Sequence, residues 1–149
     1  MKKKLVSIII NCFNGEKYLL KNLYSVLNQK YQKFEVIFVD NCSTDKSAKL
    51  FKSIKDKRFK YFKTKKKINL YGARNFAVKR CKGEFVAFLD VDDWWDKAFL
   101  SSRKKFYKSS KEYGFAFSNC YHYFENKKKF QVFSKNKLPS GFILDNLLK

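Results

Sequence analysis

An α/β fold with a mostly parallel sheet covered by helices on both faces is predicted by two observations. Short, almost unbroken apolar runs alternate with stretches of helical periodicity, and the apolar runs end in polar clusters. A strand buried on both faces reads as a continuous apolar run, and strand–helix repeats of this length close as right-handed β-α-β units. The chain has 149 residues, enough for one continuous core, and with a single proline and five glycines it lacks a flexible linker rich in either. Hydrophobic residues make up 45% and aromatics 19%, which excludes a disordered chain.

The elements follow in order. Leu5 to Ile10 is the first predicted strand, broken by Asn14-Gly15, which can cap a helix carrying Leu19, Leu23, Val26 and Leu27 on one face. Phe34 to Val39 is the second strand, ending at Asp40. Ser43-Thr44-Asp45 reads as a helix start, with Asp45 as a capping residue and Ala48, Phe51 and Ile54 on the inner face. Phe59 to Phe62 is a weaker third strand. Tyr71 to Cys81 reads as a helix, with Ala73, Ala77 and Cys81 four apart, stopped by Lys82-Gly83. Glu84 to Leu89 is the fourth strand, Trp94 to Tyr107 a helix and Phe115 to Tyr123 another strand. From Lys127 the pattern weakens, and Phe142 to Leu148 reads as the start of a helix.

In such open sheets ligands bind beyond the carboxyl ends of the strands, where strand order reverses. Those ends carry Asn11 to Asn14, Asp40 to Asp45 and Asp90 to Asp93. The last cluster stands out against the charge. The chain carries a formal net charge of +21 with only 13 acidic residues, yet Asp90, Asp92, Asp93 and Asp96 fall together. If the backbone stays extended, Asp90 and Asp92 point the same way and can share one divalent cation, magnesium or manganese, with phosphate oxygens completing its shell. The competing reading is an acidic helix start complementing the helix dipole. Asp40 can accept a hydrogen bond from a nucleobase imide or a ribose hydroxyl, or simply brace its loop. Phe13 can stack on a base or belong to the core. Arg74 and Asn75 open a helix after Gly72, where a guanidinium and the helix N-terminus both favour phosphate.

The field of so basic a chain favours polyanions, among them phosphorylated ligands and an acidic membrane face. Its lysines are spread along the chain and no motif that reads nucleic acid is present, so no nucleic-acid partner is expected. Cys12, Cys42, Cys81 and Cys120 form no C-x-x-C pair and are expected to be free, mostly buried thiols. The lone His122 cannot complete a zinc site with them. The N-terminal apolar run is too short for a signal peptide, and no segment approaches a membrane span, so a cytoplasmic location is expected.

Together these residues resemble the family 2 glycosyltransferases, which have the GT-A (Rossmann-like) fold. Val6 to Asn14 resembles the family's opening strand and P-x-Y-N turn, and Val39 to Asp45 its V-D-D-G-S-T-D segment. Gly72-Ala73-Arg74-Asn75 resembles the end of its G-x-x-x-A-R-N region, and Leu89 to Asp93 its L-D-x-D-D motif. The resemblance implies a metal-dependent transfer, with inversion, of a sugar from a nucleoside diphosphate donor of the uridine diphosphate type to a glycan or lipid-linked acceptor, such as polysaccharide biosynthesis requires. The basic surface would attract the anionic donor and hold the protein peripherally against an acidic membrane. Phe13 and Asp40 would contact the nucleobase, Arg74 would lie near the nucleotide, Asp90 would touch the ribose or diphosphate, and Asp92 would coordinate the cation. Residues 1–95 would be the donor-nucleotide core and 96–149 the start of an incomplete acceptor-side region, the chain being truncated at its C-terminus.

The chain departs from the family at Asn11, in place of proline, and at Asn41, in place of an aspartate. The family's later catalytic aspartate has no counterpart either, since Glu125 and Asp145 are poor matches. The rival readings are a binding module that keeps the donor site without turnover, and a basic binder of nucleic acid or membrane surface.

Overall fold

The computed structural model describes residues 4–103 and 114–138. The chain divides into two compact units, residues 1–108 and residues 109–149. In the first, β1 (Val6–Cys12), β2 (Phe34–Asp40), β3 (Phe59–Lys63) and β4 (Phe85–Phe88) form a parallel sheet in the order β3-β2-β1-β4. The helices are α1 (Glu16–Leu27), α2 (Ser47–Ser53), α3 (Leu70–Val78) and the short α4 (Phe99–Ser102). The α/β class and the parallel sheet are as expected.

Side-chain alternation along the strands explains the layers. Val6, Ile8, Ile10 and Cys12 of β1, with Phe34, Val36 and Phe38 of β2, pack on Leu19, Leu23 and Val26 of α1 and Phe51 of α2. Ile9, Ile37 and Val39 face the other way, against Ala73 and Ala77 of α3, whose small side chains let the helix lie close to the sheet. The step β1→β2→β3 runs outward over one face. The return to β4 crosses the other face, so strand order reverses between β1 and β4.

Below the sheet, Glu35 is buried and accepts hydrogen bonds from the Ser7 hydroxyl (2.7 Å), the Lys60 ammonium (2.5 Å) and the Lys82 amide (2.6 Å). Burial alone would raise its carboxyl, but these three donors hold it below the ordinary value. Gly83 makes this junction possible, because a Cβ there would stand 2.6 Å from the Ser7 nitrogen and 2.8 Å from the Leu5 oxygen.

Several sequence expectations shift. Asn14 does not cap α1; its side chain accepts from the Thr44 amide (2.9 Å). The α1 and α2 starts cap each other instead. Asp45 accepts from the amides of Glu16 and Ser47, while Glu16 accepts from Lys46 at 2.8 Å. Asp45 is therefore a cap, as expected, but for two helices. Those donors outweigh burial and lower its carboxyl.

Trp94 to Ala98 is not helical, because the turn is tied to α1. The Ser25 hydroxyl accepts from the Trp95 amide, and Gln29 donates to Asp96 and accepts from Leu100. Residues 104–107 of that predicted helix, Phe142 to Leu148 and Asp145 lie outside the described residues. In the second unit the strand is shorter than expected. There β5 (Tyr121–Phe124) and β6 (Lys129–Val132) form an antiparallel hairpin, with Glu125 in its connection and Lys128 at φ 48. The four cysteines are free, but only Cys12 is buried and Cys120 is exposed.

Candidate functional site

Of the candidate residues, Arg74 and Asp90 are brought into contact, while Phe13 follows β1 and Asp40 ends β2. After β4 the chain does not stay extended. The Asp93 amide donates to the Asp90 carbonyl at 3.0 Å, closing a turn over residues 90–93, so the strand-type projection of Asp90 and Asp92 does not hold. The turn is seated by two residues outside the acidic motif. Asn22, fully buried on α1, donates through Nδ2 to the carbonyls of Asp90 (2.8 Å) and Asp93 (2.9 Å). Gly15 supplies the space, since a Cβ there would meet Val91 Cγ2 at 2.7 Å and the Cys12 sulfur at 2.9 Å.

Because backbone carbonyls and Val91 anchor the turn, its carboxylates are left outward. Asp90 and Asp92 are both exposed, and Asp92 makes no hydrogen bond or ion pair among the described residues. Asp90 Oδ1 meets Arg74 Nη2 at 3.0 Å. Arg74 sits in the second turn of α3, which begins at Leu70 with Asn69 as its cap, so the helix N-terminus is not at Arg74 as the sequence suggested. The arginine acts through its side chain alone. Its Cζ lies 5.4 Å from the centre of the Phe88 ring, and its Nε is buried with no hydrogen-bond partner among the described residues.

No group of three His, Cys, Asp or Glu side chains converges to hold a metal by itself among the described residues. A hard cation that keeps water and phosphate oxygens in its shell is held by one or two carboxylates plus substrate phosphates. Asp92 and the second oxygen of Asp90 are exposed, but the turn removes the common projection that an extended backbone would give them.

Phe13 follows β1 with its ring 43% exposed, and Lys67 Nζ stands 3.7 Å from the ring centre. Lys67 belongs to a loop clamped at both ends by Asn41. The Asn41 side chain donates to the Ile68 carbonyl (2.7 Å) and accepts from the Ile68 amide (3.0 Å) and the Thr64 hydroxyl (3.1 Å). An aspartate at position 41 could not donate to Ile68 and would face its carbonyl. Asp40 is wholly buried. Its Oδ1 accepts from the Ser43 amide (2.7 Å) and its Oδ2 from the Tyr61 hydroxyl (2.5 Å). Burial and that hydrogen bond push the Tyr61 phenol well above its ordinary range.

Sequence reasoning missed Asn22, Gly15 and Lys67. Asn22 was visible as a polar residue inside the apolar stripe of α1; Lys67 carried no signal within a run of lysines.

Residues 7–148 match the model of glycosyl transferase family 2, and the chain belongs to that family. It is 37% identical over 118 residues to the Escherichia coli UDP-Glc:alpha-D-GlcNAc-diphosphoundecaprenol beta-1,3-glucosyltransferase WfaP, covering 79% of this chain and 47% of that one. Against the Bacillus subtilis putative teichuronic acid biosynthesis glycosyltransferase TuaG it is 36% identical, covering 70% of this chain and 42% of the relative. The S. aureus TarS structure (residues 1-349) in complex with UDP-GlcNAc superimposes with a TM-score of 0.64 at 32% identity, covering 69% of this chain and 31% of that one. The chain thus spans less than half the length of these relatives, and its parallel sheet is that of the GT-A fold. Nothing in these comparisons favours a nucleic-acid-binding or binding-only protein. No helix among the described residues is long and apolar enough to cross a membrane.

Proposed function

We propose that this chain is the donor-binding part of a glycosyltransferase that takes a sugar from a nucleoside diphosphate and passes it, with inversion, to a glycan or lipid-linked acceptor hydroxyl. The observation that carries this reading is the seating of the Asp90–Asp93 turn at the β1/β4 crevice, where Asn22 and Gly15 hold its backbone and leave its carboxylates outward. The relatives named above, one acting on a diphosphoundecaprenol-linked acceptor and one binding UDP-GlcNAc, support a uridine diphosphate donor.

Phe13 offers its exposed ring to the base, and Lys67 adds a cation beside it. The base imide exchanges with the Tyr61 hydroxyl on Asp40, whose carboxylate keeps the Ser43 amide as its second partner. Arg74, paired with Asp90, lies near the nucleotide and orients Asp90 toward the ribose and diphosphate. Asp92, with Asp90, would hold a manganese or magnesium ion, which neutralises the departing diphosphate when bound. Residues 1–95 form the donor core and 96–149 open the acceptor side. No catalytic base is assigned among the described residues; Glu125 lies in the hairpin connection of the second unit. The expected location is cytoplasmic, peripheral at an acidic membrane.

Calorimetric titration with uridine diphosphate, with and without manganese, tests the reading. Manganese-dependent binding is the expected result; binding that survives a chelator unchanged would overturn the metal assignment, and no binding in either condition would overturn the donor site.

A further inference from the structure

The outer face of α1 has a composition that the donor site does not use. Lys17 and Lys21, and likewise Leu20 and Tyr24, are one helical turn apart. All four are exposed, Tyr24 by 54% and Leu20 by 37%. Like charges at this spacing destabilise an isolated helix. Both lysines lie over aromatic rings, Lys17 4.7 Å from the centre of Tyr18 and Lys21 3.1 Å from that of Trp94. Trp94 directly follows the acidic turn, and Asn22 on the same helix binds that turn from the buried side. The lysines, two exposed apolar side chains and a tryptophan therefore share one surface beside the donor crevice.

An interfacial helix has this make-up, with lysines drawn to anionic headgroups and aromatic and aliphatic groups entering the headgroup boundary. The α2 surface makes a useful contrast. It exposes Lys46, Lys49, Lys52, Lys55 and Lys57, yet no large exposed hydrophobic residue lies between Lys46 and Lys57. Charge alone would not distinguish the two surfaces; the apolar groups do.

We infer that the α1 face formed by Lys17, Leu20, Lys21, Tyr24 and Trp94 docks on an anionic lipid bilayer and holds the Asp90–Asp93 edge beside it. The inference rests on the proposed donor site only in taking that edge as the place where sugar is handed to an acceptor.

Flotation of the purified chain with phosphatidylglycerol-containing vesicles, compared with phosphatidylcholine alone, tests it. Binding is expected only to the anionic vesicles, and Lys17→Gln/Lys21→Gln should weaken it roughly 30-fold, at about fivefold per lysine. Lys49→Gln/Lys55→Gln, which removes the same charge from α2 and the loop after it, should weaken it less than about threefold on the same scale. Tryptophan emission should shift to the blue on anionic vesicles in the parent chain and not in Trp94→Phe. Equal losses in the two double variants, or full binding by Lys17→Gln/Lys21→Gln, would overturn the docking face. Displacement from vesicles by polynucleotide through the same lysines would overturn the bilayer in favour of nucleic acid. Uridine diphosphate titration of the same samples separates the two readings, because Lys17→Gln/Lys21→Gln should keep the affinity of the parent chain. Vesicle binding without nucleotide binding would leave the docking face standing and sink the donor site.

Discussion

The loops after β2 and after β4 are both acidic and lie on the same edge of the sheet, but they use their carboxylates in opposite ways. After β2, Asp40 and Asp45 already have partners within the fold: Asp40 takes donors from Ser43 and Tyr61, and Asp45 caps two helices. After β4, Asn22 satisfies backbone carbonyls, Gly15 and Val91 interlock, and Asp90 and Asp92 remain exposed. A carboxylate whose lone pairs are filled by its own chain is worth stability; one left outward can exchange water for a ligand. The contrast separates carboxylates already bonded within the fold from carboxylates open to solvent, which the bare acidic pattern could not.

Substitutions on the two sides should respond differently. The largest effect is expected for Tyr61→Phe, which strips a donor from the buried Asp40 and should cost about 2–3 kcal/mol in denaturant unfolding. Uridine diphosphate binding should persist, because Asp40 is then free to take the base imide. Lost binding at unchanged stability would reverse the assignment. Asn22→Leu should cost about 2 kcal/mol by leaving two carbonyls unpaired, and nucleotide affinity measured in manganese should fall with it. Unaltered affinity would mean that the turn does not need its anchor. Asp92→Asn should leave the melting temperature unchanged while weakening manganese-dependent nucleotide binding at least tenfold, about 1.4 kcal/mol; a stability loss instead would place Asp92 with the bracing carboxylates. The smallest effect is expected for Lys67→Ala. It removes a cation–π contact worth roughly 0.5–1 kcal/mol and should lower nucleotide affinity a few-fold. Tighter binding would show that Lys67 covers the ring it was expected to assist.

Much of the architecture was legible because apolar alternation is local. The run Phe34 to Val39 is buried throughout, and Leu19, Leu23 and Val26 fall on one face whichever sheet they meet. Helix boundaries were less legible, because hydrogen bonds from distant segments set them. Trp94 to Ala98 has helical-looking composition, yet Ser25 and Gln29 of α1 claim its backbone groups. α3 starts at Leu70 for a local reason: Asn69 accepts from the Gly72 amide, and this places Arg74 a turn inside the helix.

Residue types and their order were sufficient for the α/β class, the three polar strand ends and the acidic motif, since each depends on side-chain period and short-range charge. Which carboxylates are spent and which are left outward depends on partners far away in sequence. Tyr61 reaches Asp40 because β3 pairs with β2, and Asn22 reaches Asp90 because α1 packs behind the β1–β4 crevice. Burial and hydrogen-bond saturation are properties of that assembly, so only the tertiary structure could divide the acids into those buried with partners in the fold and those open to solvent.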